Sequence, residues 1–200
     1  MCEIHVGQEP VKAVFHVHEA VLVKASPFFK AALNGSFIEA TSKKLFLPSE
    51  QAAVFSGILK AIYSGTSTGI LDAFCHKTTG STALQVTGRP VFVELWLSLD
   101  RLQLNDMKAT FMSFLNSLSI SNFSGYVSVE HVVHVYQNTP HKSPLRSLML
   151  KALVPTIIKD PTKLSSFQDC ADEIPELGME LAGALAQHAH EAKQKKKSGW

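Results

Sequence analysis

Cysteine is scarce. The chain has three in 200 residues, Cys2, Cys75 and Cys170. They are odd in number, far apart and never paired as C-x-x-C, which excludes a disulfide framework and fits a reducing compartment. No apolar run approaches the roughly 18 residues that a membrane span needs. The opening residues, MCEIHVGQEP, have neither a basic start nor an apolar stretch, so no secretory signal is expected. Cytoplasm or nucleus is the expected location. Charge is sparse as well. Charged residues make up 18%, below the usual quarter, and the net charge is +2. A charge that small creates no field to gather nucleic acid or anionic membrane. What is plentiful is apolar material, at 46%. It suffices for one good core, or one core with a small appendage.

The chain reads as short strands followed by many helices. Cys2–Val6 and residues 14–17 alternate around Gly7-Gln8-Glu9-Pro10, a hairpin pattern. Glu19–Ala25 is predicted helical. Ser26 then caps a second helix with Pro27 at its first position, and Asn34-Gly35 ends it. Leu45-Phe46-Leu47 is expected as a buried strand ended by Pro48. Ser49 is expected to cap the next helix, which carries Phe55, Ile58, Leu59, Ile62 and Tyr63 on one face and stops at Gly65. Residues 66–88 are rich in Gly, Ser and Thr and read as a variable loop with room for a strand.

Further helices are predicted at 91–104 and 106–118. Val91, Leu95, Leu99 and Leu102 share a face in the first; Met107, Phe111, Phe114, Leu115 and Leu118 share one in the second. Residues 121–126 are a loop. Val129, Val132, Val133 and Tyr136 mark the buried side of another helix. Ser143-Pro144 repeats the cap-plus-proline start, for a helix that Pro155 ends or kinks. Residues 161–176 read as irregular. A last helix spans 177–192, with Leu177, Leu181 and Leu185 on one stripe, and a solvated basic tail follows.

The ordered pieces VHEAVL, SPFF, Leu33 through Phe37, Leu47-Pro48 and Phe55 through Tyr63 resemble the BTB/POZ domain. LWLSLDRLQL is similar to a later helix of that family, and Val132 through Val154, with YQNTPHKSPLR, resembles the helical extension of fungal members. The resemblance covers about residues 4–118, and its pieces are specific in their order more than singly. It implies an α+β fold: a small sheet of about three strands flanked by a helical cluster, with C-terminal helices after it. It also implies no catalytic residue and no cofactor. The implied partner is another protein, either a second copy or a cullin-type ubiquitin ligase scaffold.

Two departures from the family pattern modify this. The usual first helix and strand, and an Asp that helps line a charged pocket, would precede Met1. The basic residue that usually precedes the Ser-Pro is Ala25 here, with Lys24 one position earlier. A weak or concentration-dependent homodimer, or a preference for a heterologous partner, is therefore expected instead of the tight family dimer. Val21, Lys24, Phe28 and Phe29 are the candidate partner-interface residues. The expected domains are 1–120, BTB/POZ-like; 121–192, helical extension; and 193–200, basic tail.

Other constellations point elsewhere. Gly65-Thr66-Ser67-Thr68-Gly69 fits G-x-S-x-G, the nucleophile elbow, with Asp100 and His131 following in hydrolase order. That alternative, a small serine hydrolase using Ser67, needs a strand before the serine and a helix after it. Nine histidines invite a metal reading. His16 and His18 alternate on a strand, His131 and His134 lie one helical turn apart, and Cys75-His76 adds a thiol and an imidazole. None has the spacing of a zinc module, so no metal is expected. The plainer expectations are a packed, hydrogen-bonded His18 at a strand–helix junction and a solvated face for His131 and His134. The basic tail lacks interleaved aromatics and is weak evidence for nucleic acid. A truncated, poorly folding copy is a further alternative, separable by a cooperative melt.

Overall fold

The first strand sets the architecture. In the computed structural model, which describes residues 1–10, 12–74, 85–86, 89–117, 127–165, 167, 170 and 174–198, strand β1 is Cys2–Val6. Its alternation buries Cys2, Ile4 and Val6 and turns Glu3 and His5 the other way. β1 pairs antiparallel with β2 (Ala13–Val17) and parallel with β3 (Lys44–Leu47), so the order is β2-β1-β3. A parallel pair needs a long connection. Three helices supply it between β2 and β3: α1 (Glu19–Ala25), α2 (Pro27–Asn34) and α3 (Ile38–Ser42).

Ser26 is the joint of this connection. Its hydroxyl caps α2 by accepting from the Phe29 N–H at 3.2 Å, and donates to the Leu102 carbonyl at 2.6 Å. α3 interrupts what the sequence alone leaves as a connector. β3 corrects a second expectation. Leu45 and Leu47 are buried, but Phe46 between them is 59% exposed, because period-2 alternation can bury only one side of a strand with a free outer face.

α4 (Ala52–Ser64) lies on the buried side of the sheet, where Phe55 meets the Phe15 ring edge-on at 5.2 Å. All six residues expected on core faces, Phe29, Leu33, Phe55, Ile58, Leu59 and Ile62, are buried. Ser49 does not cap α4. The N-cap is Gln51, without a side-chain bond, and Ser49 sits in the preceding turn. Gly65 ends α4 at φ +73°, the left-handed C-cap that favours glycine. Tyr63 is half exposed, not part of the core face.

The stretch read as a variable loop, residues 66–88, holds α5 (Gly69–Phe74) and β4 (Gln85–Val86), which pairs with β5 (Arg89–Pro90) just after it. Phe74 packs on Gly57 so closely that an added Cβ would lie 2.3 Å from the ring. Gly57→Ala must push Phe74 aside, and a loss of about 1–3 kcal/mol is expected in urea denaturation. A neutral substitution would show that α5 is not anchored at this point.

α6 (Val91–Arg101) is enclosed, with every residue from Val91 through Leu99 buried, the polar Glu94 and Ser98 included. Such a helix lies inside a domain, not on its surface. Its polar members are tied inward. The Glu50 carboxylate accepts from the Ser98 hydroxyl and from Arg101 Nε, the latter at 2.7 Å. α7 (Asn105–Ser117) follows; Leu118, at the end of the predicted helix, lies outside the described residues.

The chain divides into two compact units, Met1–Phe114 and Leu115–Trp200. The second contains α8 (Val129–Asn138), α9 (Pro144–Lys159), a 3-10 turn at Pro161–Leu164 and α10 (Pro175–Ser198). In α8 the buried residues are Val132, Val135 and Tyr136; Val129 and Val133, expected inside, are only half-buried. α9 starts at Ser143-Pro144 as expected but continues through Pro155 to Lys159, with Val154 and Ile157 packing its last turns. α10 extends past residue 192, so the backbone of Lys193 and Lys195 through Lys197 is helical.

Candidate interaction surface

The first unit presents three kinds of surface. The first is the outer face of the sheet. Register sets His5 between Val14 and Phe46, and Glu3 between His16 and Lys44. The His5 and Phe46 rings stack at 4.6 Å. Glu3 lies 3.2 Å from Lys44 Nζ and 3.9 Å from His16 Nε2. Bonding to Lys44, and then to His5, holds the Glu3 carboxyl below its ordinary range. A row of Val14, His5 and Phe46 therefore runs beside a row of His16, Glu3 and Lys44 across three strands.

The second surface is α1 and the start of α2. His18 precedes α1. The Tyr63 hydroxyl accepts from its backbone N–H at 3.1 Å and is hydrogen-bonded to its Nδ1 at 2.9 Å. His18 is exposed and not packed, yet its hydrogen bond at the strand–helix junction is as expected. It also explains why Tyr63 leaves the core. Of the four candidate interface residues, Lys24 is exposed and Val21 and Phe28 are half-buried. Phe29 is fully buried against its neighbours and belongs to the core. Successive helical residues point about 100° apart, so adjacent phenylalanines cannot both face outward. Lys43 Nζ reaches Glu19 at 2.8 Å and the Leu33 carbonyl at 3.0 Å, tying the α3 end back to α1 and α2.

The third surface is the start of α3. Phe37 and Ile38, at the start of α3, are 61% and 78% exposed. Two adjacent large apolar side chains in solvent are unusual on a small domain. The available signal was an apolar pair inside the polar run GSFIEATSKK, with no strand or helix partner for it.

The alternatives can be placed as well. Ser67 lies in a turn between α4 and α5, so a helix precedes it where an elbow requires a strand. Asp100 pairs with Lys108 Nζ at 2.6 Å, and His131 forms a capping box with Ser128 at the start of α8. Neither geometry serves a nucleophile. Among the described residues no three His, Cys, Asp or Glu side chains converge as a metal site. Cys75 and His76 lie outside the described residues. The Cys2 thiol is buried and bonded to the Val17 carbonyl, and burial raises its pKa, the opposite of a reactive thiolate. No helix among the described residues is long and apolar enough to cross a membrane.

A small three-stranded sheet backed by helices defines a mixed α+β domain. Residues 2–73 match the family model of the BTB/POZ domain. The BTB/POZ family is one of protein–protein interaction modules, and the segment is similar to it over that stretch. Domains of this family bind proteins, by dimerising or by engaging cullins. No curated protein matches the chain.

Proposed function

We propose that this chain is a non-catalytic adaptor that joins a cullin-type ubiquitin ligase scaffold to another protein. The observation that carries it is the exposed Phe37–Ile38 step on a BTB/POZ domain. Burying two such side chains in a partner is worth about 1.5–3 kcal/mol each. An apolar anchor of this kind is the usual centre of an interface. Val21, Lys24 and Phe28 extend the contact surface along α1 and α2. Residues 1–120 serve as the interaction domain, 121–192 as a helical extension of the fungal type and 193–200 as a basic tail. The working compartment is cytoplasm or nucleus.

The test uses the purified full chain and the N-terminal domain of a cullin scaffold in a surface binding assay. Wild type is expected to bind, and Phe37→Ala with Ile38→Ala to weaken binding at least ~10-fold, which is 1.4 kcal/mol. Binding unaffected by the double variant would remove Phe37–Ile38 from the interface. No binding to any cullin would sink the adaptor reading. A weak homodimer is the second reading, favoured by the half-exposed Val21 and Phe28. Sedimentation equilibrium at micromolar concentration decides it, and a species that stays dimeric on dilution to nanomolar would contradict weak association.

A further inference from the structure

Asn34 is placed for a reaction with its own backbone. Of the five asparagines it is the one followed by glycine, which puts no side chain in the way of attack by the backbone nitrogen on the asparagine amide. The fold requires that glycine: a Cβ on Gly35 would lie 2.3 Å from the Ala31 carbonyl oxygen. Asn34 is the last residue of α2, is exposed, and lines an open cleft of about 590 Å³ with His18, Glu19 and Lys24, so water reaches it.

Both reacting groups are held in the folded chain. The Gly35 N–H donates to the Ala31 carbonyl at 2.9 Å, which withholds the proton that attack must lose. Turned so that its nitrogen meets acceptors, the Asn34 amide donates to Glu19 Oε1 at 2.9 Å and to the Leu33 carbonyl at 3.1 Å. Lys43 Nζ donates to the same two oxygens, at 2.8 Å and 3.0 Å. Glu19 therefore holds the amide and the end of α3 at once.

We infer that Asn34 is a site of spontaneous deamidation gated by this junction. When the last turn of α2 frays, as helix ends do, the Gly35 nitrogen is released. It bonds to Asn34 Cγ and gives up its proton, the Cγ–Nδ2 bond breaks, ammonia departs and a cyclic imide remains. Water then opens either carbon–nitrogen bond of the imide, giving aspartate or isoaspartate. Neither product fits. An oxygen in place of Nδ2 faces the Glu19 carboxylate and the Leu33 carbonyl, so that three acceptors share one ammonium at the negative end of α2. Isoaspartate also adds a methylene to the backbone at the helix end. The modification opens the junction of α1, α2 and α3, and refolding cannot reverse it. Nothing in this depends on what Phe37 and Ile38 contact.

The experiment incubates the purified full chain in warm, mildly alkaline buffer, folded and in urea. Peptide mass spectrometry reads the amide-to-acid mass gain, and enzymatic methylation of isoaspartate locates it. Asn34 is expected to convert ahead of the other asparagines, and at least ~10-fold more slowly in the folded chain than in urea. Glu19→Ala removes the acceptor that Asn34 and Lys43 share and should speed folded-state conversion ~10-fold. Lys43→Met, a second way to open the junction, should act in the same direction. Asn34→Asp makes the product directly and should lower the melting temperature by about 2–4 °C. The loss should be smaller in the Glu19→Ala background, where the repelling carboxylate is gone. Conversion led by another asparagine, equal rates folded and in urea, or no acceleration by Glu19→Ala and Lys43→Met would each overturn the inference. So would an Asn34→Asp chain that melts with the wild type.

Discussion

Phe29→Ala is expected to cost about 3–5 kcal/mol of stability in the first unit, while Phe28→Ala costs about 1 kcal/mol. The two rings meet edge-on with centroids 5.2 Å apart, yet their surroundings differ. Phe29 is fully buried and shares its helix face with Leu33, also fully buried. Truncating it leaves a cavity among side chains fixed by α1, α2 and the turn after α6, which Ser26 holds to Leu102. Closed surroundings of that kind relax little, so the loss includes both transfer and cavity terms. Phe28 is half-buried, and solvent already covers part of it. Urea unfolding followed by Trp96 fluorescence reads the effect, because Trp96 is buried in α6 of the same unit. The second tryptophan, Trp200, is replaced by Phe in the background. The opposite ranking of the two variants would place Phe29 at the surface and Phe28 in the core.

That pair also shows where sequence reading ends. Ser26-Pro27 and Ser143-Pro144 were legible as helix starts because capping chemistry is local; both serines accept from a backbone N–H of the following turn. The core face of α4 was legible because five apolar residues repeat at helical spacing. The exceptions have tertiary causes. Tyr63 sits on that repeat but has a hydroxyl that finds His18 outside the core. α3 and α5 are five and six residues long, too short for periodicity to announce them. The rotation of α8, which buries Val135 in place of Val129 and Val133, depends on what packs against it. Surface is harder still. The polar neighbours of Phe37 are only a weak local signal; its exposure follows from how α2 and α3 turn around Gly35 and Ser36. The family resemblance supplied the kind of function, and the structure supplied which side chains are free to carry it.

Arg146→Ala is expected to cost about 2–4 kcal/mol in the second unit, and Arg146→Lys to recover little of it. Arg146 is 4% exposed at the start of α9. Its Nη2 donates to the carbonyls of Tyr136 at 2.9 Å and Thr139 at 2.5 Å, and its Nε to Thr139 Oγ1 at 3.1 Å. Its Nη1 pairs with Glu176 at the start of α10, and the guanidinium lies 4.4 Å over the Tyr136 ring. One side chain thus closes the C-terminal end of α8 and ties α9 to α10. A lysine has no planar fork and cannot satisfy three acceptors while stacking on the ring. Without the guanidinium, two buried carbonyls lose their donors.

Burial, with Glu180 accepting its proton, already pushes the Tyr136 hydroxyl well above the phenol range, so it stays neutral and cannot substitute electrostatically. The sign of the pH effect follows from Glu176, whose carboxyl Arg146 holds below its ordinary 4.5. A depressed carboxylate adds stability that is complete above its unfolded pKa and is lost as pH falls through the lower folded value. The wild-type second unit should therefore weaken on acidification in that window, and Arg146→Ala should flatten this part of the pH dependence. Hydrogen exchange measured by peptide mass spectrometry separates the units: protection should fall across α8, α9 and α10 and stay unchanged in α4 and α6. Unaltered protection in α10 would show that Leu177 and Leu181, both buried, hold that helix without the arginine.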